Sequence, residues 1–129
     1  QTQKVKSAVE RAGAVVEERD AGAIERGERA FAAFHQRGDE VRAATCARFV
    51  GYLYAVVHGN GSAAAGWTGR AERLLAAAGD CPERARLELM RAVVATDPDA
   101  RERHLAAATS VAACVSTSTK IPSKAGFAP

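Results

Sequence analysis

The chain has 129 residues, enough for one ordinary domain and too few for two. Apolar residues make up 47% and charged residues 26%, a soluble globular balance, and no apolar run approaches the roughly 18 residues of a membrane span. The formal charge is +3, but the four lysines (Lys4, Lys6, Lys120 and Lys124) sit near the ends, and the remaining 14 arginines face 15 acids, so no basic stripe points at nucleic acid.

Alanine is heavily used and aromatics are only 5%, which predicts helices packed closely on helices; a sheet would want more β-branched and aromatic residues. No proline precedes Pro82, so glycines and caps limit the first helices. Val5, Ala8, Val9, Ala12, Val15 and Val16 recur at helical spacing and predict a helix from Val5 to about Glu18, weakened by Gly13. Asp20-Ala21-Gly22 is either a break or a soft spot in a longer helix. A second helix, about Ala23 to Arg37, carries Ile24, Gly27, Phe31 and Phe34. Gly38 offers the left-handed residue that ends a helix, and Asp39 a cap for the next, so the two neighbours are antiparallel. The third helix, Glu40 to about His58, carries Val41, Ala44, Phe49, Tyr52, Leu53 and Val56. Its FVGYLYAVV half also reads as a strand, but the helical period persists upstream through RAATCAR.

Gly59-Asn60-Gly61 reads as a tight turn with Ser62 as the cap that follows. In the fourth helix Trp67, Ala71, Leu74, Leu75 and Ala78 form one stripe, and Ala63, Ala64 and Gly66 leave room for another helix to come close. Asp80-Cys81-Pro82 and Asp97-Pro98 are two further start signals. The fifth helix presents Leu87, Met90 and Val94; the sixth, to about Cys114, presents Leu105, Ala108, Val111 and Ala112. The expected architecture is all-α, with about six helices in antiparallel hairpins over residues 1–115. It would form a short tetratricopeptide-like α-solenoid or right-handed superhelix. Residues 116–129 form a Ser/Thr/Lys/Pro-containing tail, in which Ile121 or Phe127 is expected to dock.

Gly51 and Tyr54, three apart, and Ala64 and Ala71, seven apart with Trp67 between them, match the small-aromatic and paired-alanine spacings of a tetratricopeptide hairpin. AFHQRGDEVRAATCARFVGYLY followed by AAGWTGRAERLL resembles the helical-repeat region of large actinobacterial regulators of the LuxR type. The resemblance covers roughly Ala30 to Ala113 and rests on Gly38, Asp39, Gly66, Trp67, Arg70, Ala71, Arg73, Leu74 and Leu75. It implies a sensing or protein-binding platform inside a regulatory protein. With no helix-turn-helix and no GxxxxGK[ST] loop, it implies neither DNA binding nor ATPase activity for this stretch.

Reactive residues are few and scattered. His35, His58 and His104 have no HExxH or HxH spacing. His35 and His58 fall in last helical turns, where an imidazolium favours the dipole; His104, with Asp97, Asp99 and Glu102, reads as a polar helix start. Cys46, near Phe49 and Leu53, reads as a buried inert thiol, and Cys81 as the more exposed one. Three cysteines without a CxxC pair argue against a disulfide framework or a zinc site and suggest a reducing cytoplasm. No signal peptide is visible, and Gln1 in place of Met suggests a processed form or a fragment. GNGS lacks the lysine and context of a phosphate loop. No catalytic, cofactor-binding or metal-binding residue is assigned.

Tyr52, Tyr54 and Trp67, with Arg48 and Arg70, are the candidates for a ligand or partner groove, against a plainer reading in which the aromatics fill the core. The expected function is a non-catalytic protein- or peptide-binding module. The alternatives are a small-ligand sensing domain with an apolar pocket near Tyr52 and Trp67, and a small all-α enzyme. At most three hairpins would leave terminal apolar faces, so either a homodimer or a missing larger context is expected.

Overall fold

The computed structural model describes residues 2–79 and 81–118. Over these the chain is all-α: α1 (Thr2–Gln36), α2 (Glu40–Val56), α3 (Gly61–Ala76), α4 (Pro82–Val94) and α5 (Pro98–Ser118), with no strand among the described residues. The two helices expected before Gly38 are one. Asp20-Ala21-Gly22 is the soft spot of a longer helix, because adding a residue to a helix already formed is far easier than nucleating one. The last helix also runs beyond Cys114 to Ser118, into the stretch expected as tail. Ile121 and Phe127 lie outside the described residues.

Local chemistry sets the junctions. Gly38 has φ +75°, its N–H donates to His35 O (3.1 Å) and the Asp39 N–H donates to Phe34 O (3.0 Å), the paired bonds that close a helix through a left-handed glycine. Asp39 then accepts from the Arg42 N–H at 3.2 Å and caps α2. Before α3 the expectation is corrected: the cap is Asn60, whose Oδ1 accepts from the Ala63 N–H at 3.1 Å, and Ser62 already lies inside the helix. Pro82 opens α4, where its missing N–H is no loss. The Asp97 carboxylate accepts from the N–H groups of Asp99 and Ala100, both at 3.3 Å, and opens α5.

α1 packs on α2, α2 on α3, α4 on both α2 and α3, and α5 on α4. That succession is compatible with stacked hairpins, α2 with α3 and α4 with α5, each meeting only its neighbours. α2 is therefore central, and small residues bring its neighbours in. Gly51 faces α3 so closely that a Cβ there would stand 3.2 Å from Thr68 Cγ2 and 3.3 Å from the Ala64 carbonyl. A Cβ at Gly27 of α1 would stand 2.6 Å from Val50 Cγ2. Gly66, in contrast, has open space around it and mediates no close approach.

The core has two parts. Ala44, Ala47, Ala71, Leu75, Leu87 and Met90 form one; Ile24, Val50 and Leu53 form the other. Trp67 packs against both. The Phe31 ring meets it edge-on at 5.3 Å, and the Arg70 guanidinium covers its face at 4.3 Å. No described helix is long and apolar enough to cross a membrane.

Candidate docking face on α2 and α4

α2 is apolar nearly all round, and the structure divides its apolar residues between a buried face and an exposed one. Ala43, Ala44, Ala47, Val50, Gly51 and Leu53 are buried. Val41, Phe49, Tyr52 and Val56, expected on the core stripe, are exposed. Three helices converge on α2, and Ala43, Ala44, Ala47 and Gly51 occupy much of the convergence because short side chains let the backbones approach. Val50 and Leu53 join the core with Ile24 of α1, and Val41, Phe49, Tyr52 and Val56 are left on the open side.

α4 has the same double character. Leu87 and Met90 are buried, and Val94 packs against the core, as the spacing predicts. Leu89 and Val93, one helical step away, are 51% and 63% exposed. Together with Phe49 (45% exposed) and Tyr52 they line an open groove of about 380 Å³ between α2 and α4. Arg48 and Arg86 stand at this groove. Both serve Glu83, which is 7% exposed: Arg86 Nη1 lies 2.6 Å from its Oε1 and Arg48 Nε 3.4 Å from its Oε2. Arg48 Nε and Glu83 Oε2 are buried without a hydrogen bond, so this contact is ionic only.

The five residues proposed for a groove do not converge. Arg48 and Tyr52 line the α2–α4 groove. Tyr54 turns toward α1, where its hydroxyl donates to Glu28 Oε1 at 3.2 Å; burial, then that bond and the Glu28 charge, push the phenol above its ordinary value. Trp67 is part of the packing between α1, α2 and α3, and Arg70 lines a separate depression with Phe31 and His35. The sequence reading missed Phe49, Leu89 and Val93 as surface residues and Arg86 as their neighbour. The signal was present in RARLELMRAVV, which has apolar residues at helical spacing on two faces.

The reactive side chains are held apart. His35 stacks on Phe31 at 5.7 Å, His58 lies beyond the end of α2 near Tyr54, and His104 Nδ1 is 2.7 Å from Glu88 Oε2. Arg91 joins that last pair to α3, with Nη1 on Glu88 (3.1 Å) and Nη2 on Glu72 (2.9 Å). The hydrogen bond from Arg91, and then its charge, hold the Glu72 carboxyl below its ordinary value. Cys46 is half-buried, and burial pushes its thiol up. Cys81 packs against the core and is not the exposed thiol; Cys114 is. Among the described residues no group of three or more His, Cys, Asp or Glu is arranged to hold a metal ion.

A second concavity, about 400 Å³, lies where α2, α3 and α4 meet the start of α5. Glycines and alanines make up half of its wall, and Arg91 and His104, which also line it, are already engaged with carboxylates. No family model, no curated protein and no solved structure matches the chain.

Proposed function

We propose that the chain is a non-catalytic helical-repeat module that docks a protein segment, and that it works within a regulatory protein, as the resemblance of its central helices implies. The observation that carries this is the exposed strip of Phe49, Tyr52, Val56, Leu89 and Val93. These residues are not spare core: α2 and α4 bury a separate set of apolar residues, so folding does not require this second face. Contiguous exposed apolar side chains around a groove are the usual anchor of a partner's helix or strand. The sensing alternative needs a closed apolar pocket shared by Tyr52 and Trp67, and the groove that Tyr52 lines does not include Trp67. The enzyme alternative needs convergent His or Cys groups, and each histidine has a different neighbourhood.

The test is selection of randomised displayed peptides on the chain, with the Phe49→Ser/Leu89→Ser double variant as counter-target. Both residues are about half exposed, so the variant is expected to lose some stability, and it serves as counter-target where its helical circular dichroism matches the parent's. Peptides that enrich on the parent and not on the variant support docking at this face. No enrichment, or equal retention by the variant, refutes it.

A further inference from the structure

Resting on the docking reading above, we propose that the segment this face accepts is an acidic amphipathic one. Its apolar side chains would seat against Phe49, Tyr52, Leu89 and Val93, and its carboxylates would meet Arg26, Arg48 and Arg86.

The α2–α4 groove has a neighbour at Phe49. A further groove of about 440 Å³ lies between α1 and α2, lined by Arg26, Gly27 and Cys46 among others. The two grooves adjoin at Arg48 and Phe49, which line both. Three helices each contribute an arginine to the pair, and among the described residues no carboxylate lines either groove. Glu83 lies beneath, and two guanidiniums share its single charge. Arg26 forms no ion pair among the described residues. The surface therefore carries excess positive charge, although the body of the chain is balanced.

Positive charge in excess of its counter-charge, set beside exposed apolar residues, discriminates between partners by sign. A carboxylate gains charge-assisted hydrogen bonds from the guanidinium fork, whereas a basic segment meets like charge. The apolar anchors separate this partner from a small free anion, which would gain nothing from Leu89 and Val93. They also separate it from single-stranded nucleic acid, whose bases call for aromatic platforms, while two of the four anchors are aliphatic.

The same displayed library distinguishes the two levels of the proposal. Peptides that depend on Phe49 and Leu89 are expected to carry more Asp and Glu than Lys and Arg. Synthesised singly, they should bind the parent chain roughly tenfold or more tightly than they bind Arg26→Glu or Arg86→Glu. Raising the salt from about 0.1 to about 1 M, which shortens the screening length from roughly 10 to 3 Å, should weaken them. Arg26→Glu breaks no ion pair, so it keeps the test open if Arg86→Glu, which disturbs Glu83, fails to fold. Face-dependent peptides that are neutral or basic would overturn the acidic partner and leave docking intact. Absence of any face-dependent peptide would overturn docking itself. Two further results would also overturn the proposal: displacement of the peptides by oligothymidylate, or a dimer in sedimentation that Phe49→Ser/Leu89→Ser dissociates. The second would make a copy of this chain the occupant.

Discussion

Two glycines show how differently the same residue acts in this molecule. At Gly27 an added methyl would meet Val50 Cγ2 at 2.6 Å in the fully buried seam of α1 and α2. Overpacking there costs about 1–3 kcal/mol, which outweighs the gain of about 0.8–1 kcal/mol from replacing a helical glycine by alanine. Gly66 sits on α3 with open space around it, so only the gain remains. Gly27→Ala is therefore expected to lower stability by about 1 kcal/mol, and Gly66→Ala to raise it by about 0.5–1 kcal/mol, in urea unfolding followed by circular dichroism. Val50→Ala should be less costly in the Gly27→Ala background than alone, because it removes the clashing methyl. Equal shifts at the two glycines would refute this account of the α1–α2 seam.

The junctions and the ion pairs belong to the scale of the helices. α3 begins through Asn60 and not Ser62, since the Asn60 side chain spans back to the Ala63 N–H. Asn60→Ala should cost about 1 kcal/mol and Ser62→Ala should stay within about 0.5 kcal/mol; the reverse order would return the cap to Ser62. The tie between α3 and α4 is Glu72 to Arg91. Glu72 has a depressed folded-state value, so its contribution is present above the ordinary carboxylate range and disappears as pH falls through the folded value. Its side chain is 62% exposed, which limits the contribution to less than about 1 kcal/mol. Glu72→Gln is therefore expected to be slightly less stable than the parent at neutral pH and equal to it in strong acid. A gap that persisted unchanged in acid would show a packing effect instead.

For the whole molecule, the proportions matter most. At about 1.5 Å per residue the 35 residues of α1 span roughly 52 Å, twice the length of the 17-residue α2 that covers its end. Val5 and Val9, on the uncovered half, are 64% and 65% exposed. Removing residues 1–15 is expected to change the unfolding free energy by less than about 1 kcal/mol, since local stability follows buried contacts. Loss of cooperative unfolding on that truncation would show that the projecting half belongs to the folding unit.

The sequence alone determined what depends on neighbours along the chain. Gly38 and Asp39, Pro82 and Asp97 marked junctions because a cap acts within one turn. The amphipathic stripe of α3 identified Trp67 as packing, because one face was clearly more apolar. Tertiary structure decided what depends on neighbours in space. α2 and α4 are apolar on two faces, and period alone cannot rank two apolar faces. The ranking came from the convergence of α1, α3 and α4 on α2, which admits Ala43, Ala47 and Gly51 and leaves Phe49 and Tyr52 outside. The basic, apolar surface joining Arg26, Arg48 and Arg86 was illegible for the same reason. Its arginines come from three helices, and only packing sets them along two adjoining grooves.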